Sequence, residues 1–165
     1  MLDLVRRAGQ GGVVPLSGVH RCAHAFLVAL LVRHFPGRRV VVVTDTLKAQ
    51  ESLHADLTTW LNVAARTEFG EKSAAHHRVP HFFPAWEALP HESKLPHFDV
   101  ISERLETLCV LLDAPAEDAD SPRVPVVTTV TALQQRTFPA GELRGRIRQL
   151  GPGQRVNPLD LIEWL

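Results

Sequence analysis

The apolar positions of the chain fall into short runs and helical stripes, separated by glycine, proline and charge. Residues 2–7 predict one or two helical turns, followed by a flexible Gly9-Gln10-Gly11-Gly12 link. Residues 13–16 read as a short buried strand. Phe26, Leu27, Leu30 and Leu31 mark an apolar helix that stops near Pro36-Gly37. Val40, Val41, Val42 and Val43 are a continuous β-branched run, the pattern of a strand covered on both faces of a parallel sheet. Asp45 or Thr46 caps the next helix, whose Leu53, Leu57, Trp60 and Leu61 make a helical stripe. Residues 62–78 keep no period and read as loop, and 79–83 as a short strand. Pro84, Pro90 and Pro96 then block any long helix. Asp99 caps a strong helix with Ile101, Leu105, Leu108 and Leu112 on one face. Beyond an acidic loop at 115–122, residues 124–129 read as another buried strand and 131–136 as a short helix. Asn157 and Pro158 supply the cap and first turn of a last helix bearing Leu159, Ile162 and Leu165.

Strand followed by helix recurs about four times, with connections long enough for parallel pairing. The expected fold is α/β, a doubly wound parallel sheet. Residues 1–150 are expected to form one domain and 151–165 the start of a second, small and incomplete one, since the last apolar pattern breaks off mid-helix without a C-terminal cap.

Composition narrows the function classes. With 165 residues, 45% hydrophobic and 22% charged, the chain can bury a sizeable core. Eighteen basic and eighteen acidic residues cancel, so no global field attracts nucleic acid or an anionic membrane. Arg136, Arg144, Arg146, Arg148 and Arg155 face only Glu142 in their stretch, and a solvated surface accounts for them more simply than phosphate contacts. Cys22 and Cys109 share no C-x-x-C spacing and read as buried small hydrophobes of a reduced compartment. There is neither an apolar run of about 18 residues nor a signal-type N-terminus, which points to a cytoplasmic, membrane-free protein.

Candidate chemistry begins at residues 17–26, S-G-V-H-R-C-A-H-A-F, between the first expected strand and helix. A phosphate loop, G-x-x-x-x-G-K-[ST], belongs at such a junction. Counted from Gly18, the second glycine falls on Ala23, the lysine on His24 and the hydroxyl residue on Ala25. His24 is too short to reach β- and γ-phosphates and Ala25 has no oxygen for magnesium. Nucleotide binding is therefore not expected there. An ordinary strand-to-helix turn is the plain alternative for the loop. His20 and His24 at i, i+4, with His76, His77 and His81, invite a metal site, but no carboxylate or cysteine completes the spacing, and none is expected. Trp86-Glu87 lacks the second carboxylate that an acid–base pair needs, and no catalytic residue is assigned.

The stretch 86–108, W-E-A-L-P-H-E-S-K-L-P-H-F-D-V-I-S-E-R-L-E-T-L, closely resembles the signature of the bacterial transcription-repair coupling factor (Mfd) family, about W-E-x-L-P-Y-[DE]-x-x-S-P-H-x-D-I-I-[SA]-x-R-L-x-T-L. Trp86, Glu87, Leu89, Pro90, Glu92, Pro96, His97, Asp99, Ile101, Arg104, Leu105, Thr107 and Leu108 match without a gap; His91 and Leu95 depart from it. V-V-V-V-T-D, V-V-T-T-V-T-A-L-Q-Q-R and G-P-G-Q-R-V follow in the family's order. The resemblance implies a UvrB-like, RecA-type helicase domain that has lost its phosphate-binding lysine. It implies a structural or interaction role for Trp86, Glu87, Leu89, Pro90, Pro96, His97, Asp99 and Arg104. UvrB itself keeps a G-x-G-K-T loop and a tyrosine-rich hairpin, and this chain, with no tyrosine, is the poorer match to it. The family implies recruitment of UvrA to RNA polymerase stalled at a lesion, in nucleotide excision repair. UvrA would be met mostly through the small domain that residues 158–165 begin, polymerase and DNA through further domains, and ATP and magnesium by the motor of the full-length protein. Two other readings stand beside this one: a nucleotide-dependent ATPase or helicase-type enzyme with an unorthodox phosphate loop, and a stand-alone adaptor that binds UvrA or DNA.

Overall fold

The computed structural model describes residues 2–69, 78–86, 95–113 and 123–164. The described residues form a mixed α/β architecture around a small parallel sheet. In chain order the elements are α1 (Leu2–Gln10), a 3-10 turn (Arg21–Ala23), α2 (His24–His34), β1 (Val41–Thr44), α3 (Leu47–Phe69), β2 (His81–Phe83), α4 (Phe98–Asp113), β3 (Val126–Thr129), α5 (Val130–Gln134), α6 (Ala140–Gly145) and α7 (Pro158–Trp164). The strand order is β1-β3-β2, all parallel, with Val41 opposite Val126 and His81 opposite the same Val126.

Alternating side chains send β3 into two cores. Val127 packs with Ala25, Ala29 and Val32 of α2 and with Leu57 and Leu61 of α3. Val126 packs on the opposite face with Phe83, Ala132 and Leu108. Helices thus cover both faces of β3, all four residues of which are buried. The stripe read from α3 holds: Leu57 and Leu61 are core, and Trp60 meets Phe26 edge-to-face at 5.0 Å. That helix runs on through residues expected to be loop; Leu61 in the core and the Asn62 side chain, which bonds Arg78 both ways, hold it where the expected loop would begin.

Several expectations fail. Residues 13–16 are not a strand; Val13 is 93% exposed and joins no ladder. Gly11 and Gly12, both at positive φ, and Pro15 inside the segment turn it away from regular pairing. The valine run is not covered on both faces. β1 is an edge strand, and Val41 and Val43 stay 51% and 46% exposed because α4 reaches only the β2 side of that face. On α4 the buried face is Val100, Arg104 and Thr107, while Ile101, Leu105, Leu108 and Leu112 flank it half-buried. His97, not Asp99, sits at its cap: Asp99 N–H donates to His97 Nδ1 at 3.4 Å and lies within the first turn. Cys22 is exposed, since it lies in the surface 3-10 turn, and Cys109 is half-buried. The caps at Thr46 (Ala49 N–H to Oγ1, 3.3 Å) and Asn157 (Leu159 N–H to Oδ1, 3.1 Å) form as expected, and Pro158 opens α7. α6 was not foreseen; it buries only Leu143. Among the described residues no helix is long and apolar enough to cross a membrane.

Candidate functional site

The residues read from the sequence as a degenerate phosphate loop form no phosphate cradle. Gly18 has φ +76° in an exposed, unpaired segment. His20 precedes the helix, where its Nδ1 accepts from Cys22 N–H at 3.4 Å, so His20 and His24 do not share a helix face. Ala23 is the cap residue of α2, His24 its exposed first residue, and Ala25 a core residue 1% exposed. A working loop needs a strand beneath it, a lysine reaching out of it and a hydroxyl at its rim. Here no strand underlies residues 13–16, and the position of the hydroxyl faces the interior. These residues do not fit a nucleotide triphosphate with magnesium.

The parallel sheet places a second feature where such sheets bind ligands, outside the carboxyl ends of the strands. A cleft of about 530 Å³ opens there. Asp45 and Thr46 follow β1, Pro84, Ala85 and Trp86 follow β2, and Thr129 and Thr131 close the end of β3. Glu51 on α3 and Glu103 on α4 reach it from the sides. Three carboxylates line the cleft, and none of the described lining residues is basic. The Glu103 carboxyl is pushed above its ordinary range by burial and then by Asp99 and Glu106, with His54 pulling the other way. Arg21 approaches Asp45 only at 3.9 Å, both side chains being largely in solvent.

Fully buried Gln50 lines this cleft from α3. Its Nε2 donates to Phe83 O at 3.1 Å and Val127 O at 2.9 Å, serving carbonyls where the ladder ends, while its Oε1 has no hydrogen-bond partner. Thr128 Oγ1 donates to the same Phe83 O, and Thr107 Oγ1 to Phe82 O.

Trp86 is held from behind. The Arg104 guanidinium stacks at 4.2 Å on Phe83 and 4.3 Å on Trp86, and its Nη1 donates to Pro84 O at 2.6 Å. Gln135 clips the same segment twice: Oε1 accepts from Trp86 N–H at 2.6 Å, and Nε2 donates to Trp86 O at 3.3 Å. Arg104 is only 1% exposed, its Nε and Nη2 are unpartnered, and burial pulls its pKa down to about 10.

Of the signature residues, Trp86 and Arg104 therefore come together, whereas Pro96, His97 and Asp99 stand apart at the start of α4, where His97 Nδ1 lies 3.2 Å from Asp99 Oδ2. Glu87, Leu89 and Pro90 lie outside the described residues, as do His76 and His77. His81 is in β2, with its pKa lowered chiefly by burial. Of the arginines, Arg146 pairs with Glu142 at 2.7 Å and lies 5.5 Å from the Phe138 ring, an ordinary surface arrangement. Sequence reading missed Gln50 and Gln135. Polar residues of that type carry no periodic signal, although Gln50 sits one turn before Leu53 on the buried side of a stripe already recognised. No protein-family model matches the chain, and no curated protein matches it.

Proposed function

We propose that the chain is a non-catalytic interaction module of the transcription-repair coupling kind, a degenerate RecA-type domain. In this reading residues 1–150 are the UvrB-like domain and 151–165 open the small domain that meets UvrA. The whole acts in the cytoplasm to bring UvrA to RNA polymerase stalled on damaged DNA. The observation that carries the non-catalytic half is Ala25. The residue that should offer magnesium an oxygen is a buried methyl group in the α2–α3 core. A carboxylate-lined cleft at the strand ends argues in the same direction, because it repels a triphosphate. The recruitment half is supported by the signature at 86–108 and by the packing of two of its members, Trp86 and Arg104, against each other.

The alternative, an ATPase with an unorthodox loop, draws on the position of the cleft alone. Calorimetry with ATP–magnesium separates the two. The expected result is no heat of binding at micromolar ligand for wild type, and no hydrolysis. Micromolar binding, or hydrolysis that His24→Lys with Ala25→Thr does not increase, would overturn the non-catalytic reading. Co-migration with UvrA in gel filtration checks the recruitment half, and complete separation of the two proteins would count against it.

A further inference from the structure

The cleft has a chemistry of its own. Its polar lining is rich in acceptors: the carboxylates of Asp45, Glu51 and Glu103 stand beside the hydroxyls of Thr46, Thr129 and Thr131, of which Thr46 Oγ1 donates to Asp45 Oδ1. Gln50, also a lining residue, keeps a fully buried Oε1 without a donor, a defect of about 1–3 kcal/mol. The two helix N-termini nearby, of α3 and α5, are already served by the hydroxyls of Thr46 and Thr129. That weakens any claim of an anion on the cleft, and three carboxylates finish it. Among the described residues no three histidine, cysteine or acidic groups converge closely enough to hold a metal ion, which turns the choice toward an organic cation. The apolar part of the wall is Phe82 and Trp86, and the protein already stacks a guanidinium on Trp86 from behind, at Arg104.

We propose that this cleft is a docking socket for an arginine side chain presented by a partner protein. A guanidinium is planar, donor-only and able to stack on an indole while its N–H groups fan out to separate acceptors. A lysine ammonium has the charge but neither the plane nor the fork. The volume, about 530 Å³, leaves room for the backbone on either side of the side chain, which suits a partner's loop better than the free amino acid, whose own carboxylate would meet Glu51 and Asp45. Arg104, stacked on Trp86, and Arg21, near Asp45 at the rim, are the nearby arginines; neither lines the socket, and an incoming guanidinium shares the Trp86 ring with Arg104. The proposal rests on the non-nucleotide reading of the cleft, and its failure is distinguishable from the failure of that reading.

The test is an NMR titration of the 165-residue protein, following the Trp86 indole N–H and the Gln50 side-chain amide. The probe is acetyl-Gly-Arg-Gly-amide, compared with its citrulline counterpart, which keeps the shape and removes the charge. A single arginine should bind at roughly millimolar strength and shift both resonances. Citrulline and free arginine should each be weaker by about tenfold or more. Glu51→Gln with Glu103→Gln, both at the cleft wall, should weaken the arginine peptide by a similar factor while circular dichroism stays that of wild type. Equal binding of the citrulline peptide, shifts confined to other surfaces, or no shift at about 10 mM peptide would overturn the proposal and leave the non-catalytic reading standing. Saturable binding of ATP–magnesium at Trp86 would sink both. If the double variant fails to fold, Trp86→Phe is the second arm: an unchanged affinity for both peptides there would also refute the socket.

Discussion

Arg104 is the residue whose environment differs most from its chemistry. A guanidinium buried between two aromatic rings gains stacking, one short hydrogen bond to Pro84 O and a longer one to Gln135, yet leaves two donors without acceptors and, among the described residues, forms no ion pair with a carboxylate. A buried charge of this kind is often matched or exceeded by an apolar residue of the same volume, whereas truncation leaves a cavity. Arg104→Met should therefore fall within about 1 kcal/mol of wild type in urea unfolding, and Arg104→Ala should cost about 3 kcal/mol. A loss of the larger size for both would show that the hydrogen bonds to the 84–86 segment outweigh the desolvation. The residue is legible in the sequence only as a member of a signature; hydrophobic periodicity runs the α4 stripe through Ile101 and Leu105 and so puts Arg104 beside the buried face instead of at its centre.

At the scale of elements, helix stripes and some caps were legible, while α6, the length of α3 and the sheet edges were not. The stripe on α3 and the caps at Thr46 and Asn157 follow from local chemistry, and the structure has them where the pattern puts them. The strands are harder. A β-branched run says that a segment is extended, but not how much of the sheet will cover it, so the valines of β1 look like an interior strand and are an edge. Residues 13–16 carry the same apolar signal without a partner at all. The element with a pH signature is β2. His81 is half-buried there, and burial, with Arg39 adding to it, disfavours its charged form against a smaller opposing pull from Glu106. Its folded pKa lies below the ordinary 6.5, so as pH falls below that value the unfolded chain takes up the proton first and stability drops. Thermal melts from pH 7 to 5 should show this decline, and His81→Gln should flatten it. A decline unchanged in the variant would assign it to other groups.

For the whole molecule, the notable surface is the uncovered half of the sheet. Val41 and Val43 stand half-exposed on the edge strand, the arrangement that protein sheets usually blunt with charge. Val43→Lys should leave the melting temperature within a few degrees of wild type, since little apolar area is lost, and reduce light scattering of concentrated solutions. An unchanged scattering curve would mean that this edge plays no part in self-association. The candidate site belongs to the same scale: the cleft exists only because three strand ends from distant parts of the chain arrive together, which is why no stretch of sequence announced it.

The strand order carries a last consequence, for synthesis. β3 lies between β1 and β2, yet it is the last of the three in the chain, and among the described strands both neighbours pair only with it. While a ribosome makes this protein, β1 and β2 must wait without partners until residues 126–129 have left the exit tunnel. Until then neither strand has its sheet partner, and unpaired strand edges of this kind are the ones prone to aggregate.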